Sequence, residues 1–215
     1  MTVVAPLSGL RLATPRLELR LGSRAELAAL AEVAKAGIHP PDEMPFAVPW
    51  TDASSDPGFV ADFVAHHEQV LEAWTPEEWS LNLLAFHEGA PVGSQALRAT
   101  GFAADRTVDT GSWLGAASQG RGLGTEMRAA VLELAFDRLG ARVAQSGWLE
   151  GGAAQSAGVS ARLGYREVGT HLERPRGEPV LHHDLVLEAA DWSCPFAVDI
   201  AGAEPCLPLF GATPD

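Results

Sequence analysis

The sequence predicts an α/β fold in which helices cover both faces of one mixed, twisted sheet. The main observation is the order of elements, because strand-like runs alternate with runs of helical apolar spacing from about residue 10 to about residue 190. Length and composition agree, since 215 residues with 47% hydrophobic and 20% charged content are typical of a globular domain with a single well-buried core.

The order begins with a strand and a capped helix. Residues 10–21 predict the opening strand, and Ser23 to Glu26 has the capping-box form Ser-x-x-Glu ahead of an Ala/Leu-rich helix that reaches Ala36. A helix at 59–74 follows, and then a hairpin of strands 79–87 and 91–99 that turns across Glu88-Gly89-Ala90. The remaining predicted strands are 107–114, 141–146, 165–172 and 180–188.

The best-marked helix covers residues 121–139. Its apolar residues recur at helical spacing and are Leu123, Met127, Val131, Leu134 and Ala135. Glu126 lies in the first turn and Arg138 in the last, where their charges complement the helix dipole, and Gly140 follows. We interpret the apolar stripe as core that packs on the sheet.

A glycine-rich turn, Gln119-Gly120-Arg121-Gly122-Leu123-Gly124-Thr125, joins the strand at 107–114 to this helix. Its glycines let the backbone approach a ligand, and the first helical turn leaves N–H groups unpaired, so the turn predicts an anion site. The Gly-x-Gly-x-x-Gly pattern of dinucleotide sites fails at Thr125, and the Gly-Lys-Ser/Thr pattern of triphosphate loops fails because the only lysine is Lys35. A tight turn that binds nothing is the alternative at this point.

The pattern that remains, Gln-x-x-Gly-x-Gly, resembles the pyrophosphate loop of the GNAT superfamily of acyl-coenzyme A N-acyltransferases. The resemblance implies a GNAT fold with a mostly antiparallel sheet of about seven strands, and loop amides that hold the coenzyme A pyrophosphate. It assigns coenzyme binding to the end of the strand and to the loop, at Ser112, Trp113, Leu114, Gln119, Gly120, Arg121, Gly122, Leu123, Gly124 and Thr125.

Two residues near this loop have more specific expectations. Arg121 is expected to pair with a coenzyme phosphate, with a solvent-facing turn residue as the alternative. Gly111 lies inside the strand and indicates a bulge or a close backbone approach. The resemblance favours the bulge, because the corresponding GNAT strand is bulged where it pairs with the pantetheine arm.

A second segment strengthens the resemblance. Ser156 lies eight residues before Gly164, and the ending Leu163-Gly164-Tyr165 is similar to the family pattern of Asn-x-x-Ser, a helix, and Leu-Gly-Phe/Tyr. Ala153 stands at the asparagine position, and Ser160 stands where many members carry a tyrosine that protonates the departing thiolate. Members of the Rim-type branch, the ribosomal-protein serine/alanine N-acetyltransferases and their relatives, are thought to use a serine there. Ser156 and Ser160 are therefore expected to contact the coenzyme, although a helix N-cap also explains Ser156.

Acyl transfer from a thioester to an amine needs a neutral nucleophile, a stabilised oxyanion and a proton for the thiolate. The resemblance implies direct attack, with a backbone N–H near Leu114 polarising the thioester carbonyl. Ser160 is the candidate proton donor or thiol-orienting group, since it shares a helix face with Ser156.

Asp109 is the candidate base, because two-residue alternation puts it on one face of the strand with Gly111. A solvent-facing Asp109 is the alternative, and His39 and His183 stay open as bases. We expect no metal, because neighbouring histidines in the pairs 66–67 and 182–183 point apart on a helix or a strand.

The acceptor side is predicted in the stretch 37–57, whose prolines exclude a continuous helix and favour a semi-rigid loop. Its Pro-Phe-x-x-Pro-Trp-Thr run resembles a loop over the acceptor pocket in a subgroup of Rim-type proteins, some of which are associated with succinyl donors. The donor is therefore acetyl- or succinyl-coenzyme A. The candidate substrate residues are Met44, Phe46, Trp50, Trp79 and Gln95. Core packing explains Phe46 and Trp50 equally well.

The net charge of −13 argues against a nucleic-acid partner, because the 15 Lys and Arg residues are scattered along the chain among 28 Asp and Glu residues. It favours cationic partners such as amines, although solubility is an alternative explanation. No apolar run approaches the ~20 residues of a membrane helix and the start lacks a secretion signal, so we expect a cytoplasmic protein without a membrane partner. Cys194 and Cys206 are expected to be free thiols.

Residues 1–190 are predicted to form one acyltransferase domain. Residues 191–215 are predicted to be a tail that packs on the domain or on a neighbouring subunit of a homo-oligomer. The predicted function is transfer of an acetyl or succinyl group from coenzyme A to a primary amine, either a protein N-terminus or a small amine. A catalytically weak acyl-coenzyme A sensor is the alternative, which Ala153 and Ser160 keep open.

Overall fold

The computed structural model describes residues 4–152 and 154–212. The strands within these ranges are β1 (Arg11–Ala13), β2 (Leu17–Arg20), β3 (Glu78–His87), β4 (Ala90–Thr100), β5 (Thr107–Leu114), β6 (Val143–Leu149), β7 (Arg166–Glu173), β8 (Val180–Glu188) and β9 (Asp199–Ala201). The α-helices are α1 (Val4–Leu7), α2 (Arg24–Lys35), α3 (Phe59–Glu72), α4 (Phe102–Asp105), α5 (Leu123–Glu133) and α6 (Ala154–Arg162).

All of these strands belong to one sheet with the order β7-β8-β6-β5-β4-β3-β2-β1-β9. Every neighbouring pair is antiparallel except β5 and β6, which run parallel. A mixed and mostly antiparallel sheet is confirmed.

Helices cover both faces of this sheet, as predicted. Leu83 and Leu84 are neighbours on β3 and therefore point to opposite faces. Leu83 packs in one apolar cluster with Met127 of α5, whereas Leu84 packs in another with Leu30 of α2 and Phe63 of α3. The chain thus has two cores, one on each side of the sheet.

The described sheet has nine strands where about seven were predicted. The predicted opening strand is two strands, because Pro15 cannot donate a ladder hydrogen bond and the chain turns there, with the N–H of Thr14 donating to the carbonyl of Leu17 at 2.9 Å. The other additional strand is β9, which pairs with β1.

Local signals placed the helix ends well. Ser23 and Glu26 form the predicted capping box at the start of α2. α5 begins later than predicted, because Gly122 is its N-cap with a φ of +79°, and a π-helical turn at Leu134–Arg138 follows its last residue. The hairpin turn lies at Glu88 and Gly89, both with positive φ.

The proline-rich stretch 37–57 is a loop whose only regular element is one 3-10 helix, Trp50–Ser55. Residues 189–212 return to the sheet: β9 extends it, and a 3-10 helix at Glu204–Phe210 covers two tryptophans. The indole N–H of Trp74 donates to the carbonyl of Leu209, and that of Trp79 donates to the carbonyl of Phe210. No helix in the described part of the chain is long and apolar enough to cross a bilayer.

Candidate active site

The central feature of the site is an opening between β5 and β6. The two strands pair only from Thr107 to Asp109, opposite residues 143–145. Beyond that point β5 stays paired with β4, while β6 stays paired with β8. The sheet therefore splits in the middle, on the side where α5 begins.

Gly111 does not form the expected bulge. β5 and β4 pair in unbroken register from Gly93 opposite Leu114 to Arg98 opposite Asp109. The prediction of a bulge is wrong, because the divergence from the parallel neighbour opens the strand edge without any insertion.

The strand edge exposed by this split has defined hydrogen-bonding groups. The N–H of Gly115 donates to the carbonyl of Val92, and the carbonyl of Thr110 accepts from the Ser146 hydroxyl on β6. Because strand amides alternate in direction, the N–H groups of Ser112 and Leu114 point toward β6 and into the opening. These are donors that an extended ligand can pair with.

A cavity of about 600 Å³ occupies the opening. Its walls come from β5, β6, the start of α5, the first turns of α6, β8 and the proline-rich loop. The predicted site residues that line it are Phe46, Trp50, Asp109, Ser112, Trp113, Leu114, Gln119, Gly124 and Ser156.

The glycine-rich loop has the geometry of an anion site. Gly120 and Gly122 have φ values of +71° and +79°, a region that glycine enters without strain. The N–H of Glu126 is the first in α5 to bond to a helical carbonyl, that of Gly122. The N–H groups of residues 123–125 therefore remain for a ligand at the positive end of the helix dipole. The Arg121 side chain is exposed beside them, with no partner among the described residues.

Gln119 has a structural part in this loop. Its side-chain amide donates to the carbonyl of Leu114 at 2.8 Å and to that of Ile38 at 2.7 Å. It therefore joins the end of β5 to the proline-rich loop.

The start of α5 is anchored by an ion pair that the sequence did not reveal. The carboxylate of Glu126, 1% exposed, accepts from the Thr14 hydroxyl at 2.6 Å and from the Arg16 backbone N–H at 2.9 Å. It also pairs with the Arg16 guanidinium at 2.5 Å, and that guanidinium donates to the carbonyl of Arg121 at 2.8 Å. The sequence assigned Glu126 only to the helix dipole, because Thr14 and Arg16 lie more than a hundred residues away.

Arg128 is the most important residue that sequence reasoning missed. It is 2% exposed, and it lines the cavity from α5. Its guanidinium donates to three serine hydroxyls: Ser160 at 2.8 Å, Ser112 at 3.0 Å and Ser146 at 3.4 Å. Burial lowers the pKa of Arg128 from its usual value. The electrostatic interactions with Tyr165 and Asp109 act in the opposite direction and are smaller. No sequence signal marked this residue, because a single apolar stripe would leave position 128 facing solvent.

Ser160 lies behind this arginine. It is 1% exposed and is not among the residues that line the cavity, so it connects to the cavity through Arg128. Ser156, one turn earlier on α6, lines the cavity itself. Ala153, the position of the missing asparagine, lies outside the described residues.

Asp109 lines the cavity but is engaged in an ion pair. Both Nε and an Nη of Arg98 donate to its Oδ1. A second carboxylate, Asp184 on β8, also lines the cavity. Burial favours the neutral form of Asp184, but hydrogen bonds with His171 and His182 outweigh it and lower the pKa of this carboxyl.

The same residues are the one described group that could hold a metal ion. The ligand atoms of His171, His182 and Asp184 lie within 4.8 Å of one another. His171 faces His182 across the β7–β8 pair, a contact that reasoning from sequence neighbours overlooked. Hydrogen bonds with Asp184 and Glu173 raise the pKa of His171. The absence of a metal stays a prediction.

The proline-rich loop packs over one end of the cavity. Trp50 contacts the rings of Phe46, Phe59, Phe63 and Trp113, so packing and pocket lining both account for it. The loop is tied to the β7–β8 connection by Arg176, which forms two hydrogen bonds with Asp52 and one with the carbonyl of Pro41.

Three predicted substrate residues do not reach the cavity. Gln95 is fully buried, and its amide donates to the carbonyls of Ala96 and Gly111 inside the sheet. Trp79 packs against Trp74 and Phe210 in the core beneath the 3-10 helix at Glu204–Phe210. Met44 is buried and does not line the cavity. The assignment of these three residues to the substrate stays a prediction.

Comparisons with known proteins agree with this geometry. The family profile described as "Acetyltransferase (GNAT) domain" matches residues 16–166. Among similar solved structures, Mycobacterium smegmatis RimJ in complex with CoA-disulfide has 17% identity and a TM-score of 0.67, covering 86% of this chain and 90% of RimJ. The microcin C7 self-immunity acetyltransferase MccE, in complex with acetyl-CoA and AMP, has 17% identity and a TM-score of 0.63, covering 81% of this chain and 93% of MccE.

A third structure is a Vibrio cholerae protein assigned as a ribosomal-protein-serine acetyltransferase. It has 18% identity and a TM-score of 0.59, covering 83% of this chain and 97% of that protein. Identities this low establish a shared fold, and the family profile establishes the family.

Proposed function

The chain belongs to the GNAT family of acetyltransferases, and from that premise we propose that it moves an acetyl group from acetyl-coenzyme A to a primary amine by direct attack in a ternary complex. One observation carries the proposal. A single cavity extends from Gly124 in the first turn of α5, along the free edge of β5, to the buried Arg128 and the two serines that it contacts there, Ser112 and Ser146.

The donor fits the first half of this cavity. The N–H groups of residues 123–125 and the side chain of Arg121 supply hydrogen bonds and positive charge for a pyrophosphate. Gly124 lines this passage, and a Cβ there would be in ordinary van der Waals contact with Val159 at 3.6 Å and with Leu114 at 3.7 Å. The free edge of β5 beside them suits an extended pantetheine arm.

The chemistry falls on the same free edge. The N–H of Leu114 polarises the thioester carbonyl and stabilises the oxyanion that forms when the amine attacks. Ser160 is the proton donor or thiol-orienting group, since its oxygen accepts from Arg128 and its own O–H donates to no described residue. Asp109 accepts the amine proton, directly or through water, after Arg98 releases one of its two hydrogen bonds to this carboxylate.

The acceptor enters from the proline-rich loop and β8. Asp184 and Asp109 give that end of the cavity negative charge, which favours a cationic amine. We extend the proposal to the Rim-type branch, which includes protein N-termini among its acceptors, because RimJ and the Vibrio cholerae protein share the fold. A succinyl donor stays within the proposal as the alternative acyl group.

The first test is calorimetric titration with acetyl-, succinyl- and free coenzyme A. Wild-type protein is compared with the Arg121→Ala, Gly122→Val double variant, and Arg138→Ala at the other end of the same helical run is the control. Arg138 is exposed and pairs only with Asp137, so its loss leaves the loop intact. Binding that disappears in the double variant alone supports the proposal. Equal binding in all three proteins, or none to any ligand, refutes it.

The second test separates an enzyme from a sensor. The burial of Ser160 away from the cavity favours the alternative that the chain binds acyl-coenzyme A without turnover. Release of free thiol is measured with a panel of amines, and Ser160→Ala is expected to cut turnover by about 10²-fold or more while donor affinity is kept. Donor binding without thiol release on any amine would establish the sensor, and full turnover in Ser160→Ala would remove the acid assignment.

The proposal also includes a cytoplasmic homo-oligomer. β7 is an edge strand of the sheet, and it exposes Val168 and Leu172, the latter 62% accessible. An exposed apolar edge of this kind supports pairing with a second copy. Sedimentation equilibrium measures the mass directly, and a monomer at micromolar concentration would contradict this part.

A further inference from the structure

Arg128 is a buried cation without a carboxylate partner. A guanidinium has five N–H donors, and only three of those of Arg128 bond to described groups, all of them neutral hydroxyls. Its Nε is buried with no partner among the described residues. An unpaired buried charge is strongly destabilising, and arginine cannot relieve it by losing its proton. Such a group is expected to meet an anion during function.

The described residues 4–152 and 154–212 do not supply that anion. Asp109 is the carboxylate whose charge acts on Arg128, but its Oδ1 is already held by Arg98. Asp184 is held by His171 and His182. Burial raises the pKa of Tyr165, so this hydroxyl stays neutral beside Thr110. The anion therefore comes from what occupies the cavity.

The position of Arg128 identifies which part of the donor it meets. One Nη lies 3.0 Å from the hydroxyl of Ser112, and Ser112 is two residues before Leu114 on the free edge of β5. In the proposed function the thioester carbonyl lies against this edge, and its sulfur is bonded to the same carbon. The other Nη lies 2.8 Å from Ser160, the group assigned to the sulfur.

We propose that Arg128 is a catalytic residue that stabilises the coenzyme A sulfur as a thiolate, an inference that rests on the proposed function. The amine nitrogen forms a bond to the acyl carbon, the carbon–sulfur bond breaks, and its electron pair goes to sulfur. The amine proton leaves to the base. The thiolate pairs with the guanidinium and is protonated by water when the product leaves, while the Ser160 hydroxyl stays protonated and orients the guanidinium.

Free coenzyme A tests this without catalysis. The thiolate absorbs in the ultraviolet, so a pH titration of the complex, minus the protein alone, reports the pKa of the bound thiol. Burial raises the pKa of Cys194 and of Cys206, and the titration of the protein alone subtracts the absorbance of both cysteines. The pKa of the bound thiol is expected to lie at least about one unit below that of free coenzyme A, as for a group beside an opposite charge.

Arg128→Met should return this pKa to the value of free coenzyme A or above it, and Arg128→Lys should fall between. If the Arg128→Met variant does not fold, the titration of the wild-type complex against free coenzyme A still tests the inference. A bound thiol that titrates like free coenzyme A, with binding intact, overturns the inference and leaves the proposed function standing. Failure to bind coenzyme A overturns both.

Kinetics gives a second readout. With acetyl-coenzyme A, Arg128→Met is expected to lower kcat by about 10²- to 10³-fold, the usual effect of removing one charge-stabilising donor, with little change in donor affinity. Arg128→Lys should recover part of it, and Arg138→Met should match the wild type. A loss confined to succinyl-coenzyme A would mean that Arg128 binds the acyl carboxylate, and would refute the thiolate assignment.

Discussion

Replacing Glu126 with glutamine tests how the start of α5 is held. The change keeps the size of the side chain but removes one charge. Oε1 of the carboxylate accepts from the Thr14 hydroxyl and the Arg16 backbone N–H, and the amide oxygen of glutamine can still accept from both. Oε2 accepts from the Arg16 guanidinium at 2.5–2.6 Å. In the variant an NH₂ group faces that guanidinium, so donors oppose donors.

The magnitude follows from the burial of the two partners. Breaking a fully buried ion pair costs about 3–5 kcal/mol, because a charge is left without a partner. Glu126 is 1% exposed but the Arg16 side chain is 42% exposed, so water solvates part of the released guanidinium and the cost falls. Loss of a negative charge at the N-terminus of α5 adds about 0.3–1 kcal/mol. We expect Glu126→Gln to lower the free energy of unfolding by about 2–4 kcal/mol.

Equilibrium urea denaturation measures this value, and the melting temperature should fall by roughly 5–12 °C for a chain of this length. Glu32→Gln is the matched control, because Glu32 is exposed on α2 and pairs only with Lys35. The control should change stability by less than about 0.5 kcal/mol. Since Arg16 also holds the carbonyl of Arg121, the variant should weaken coenzyme A binding as well. A loss below 0.5 kcal/mol in Glu126→Gln would show that this ion pair does not anchor the helix.

Two further changes probe other parts of the fold. Hydrogen bonds from Arg20 and Ser23 lower the pKa of Glu26 to about 2, so its contribution to stability is present above the usual carboxyl pKa and is lost as pH falls from about 4.5 to about 2. In urea denaturation, Glu26→Gln should lower the free energy of unfolding by about 1–2 kcal/mol at pH 7 and by progressively less in that acid range. A difference that does not depend on pH would contradict this assignment. Phe210→Ala removes a fully buried ring that packs on Trp74 and Trp79. It should lower the free energy of unfolding by about 3–5 kcal/mol in urea denaturation and shift the tryptophan emission to the red. A loss under about 1 kcal/mol would mean that the last described residues add little to the core.

Much of the scaffold could be read from short-range patterns. The capping box at Ser23 and the turn at Glu88-Gly89 lie where the sequence placed them. Gly164 has the predicted left-handed backbone, with a φ of +88°. These signals are reliable because each acts between residues only a few positions apart, where backbone geometry fixes the contact. The same is true of the glycine-rich loop, whose form depends on its own residues.

The site depended on contacts that no local pattern contains. The sequence named Trp79 and Gln95 as pocket candidates for their place on the hairpin, but that place does not say which face of the sheet the tail covers or which side chains turn into the sheet interior. Gly111 suggested a bulge because glycine weakens a strand, whereas the opening arises where β6 leaves β5 to pair with β8.

By itself, the sequence determined the family, the order of elements and the anion loop, because motif spacing and hydrophobic periodicity are written in consecutive residues. Only the tertiary structure decided that Arg128 is buried against Ser112, Ser146 and Ser160, and that Glu126 anchors the loop through Arg16. The physical reason is desolvation. The neighbours that replace water around a buried charged side chain determine its electrostatic interactions and its reactivity, and here most of those neighbours come from segments far away in the sequence.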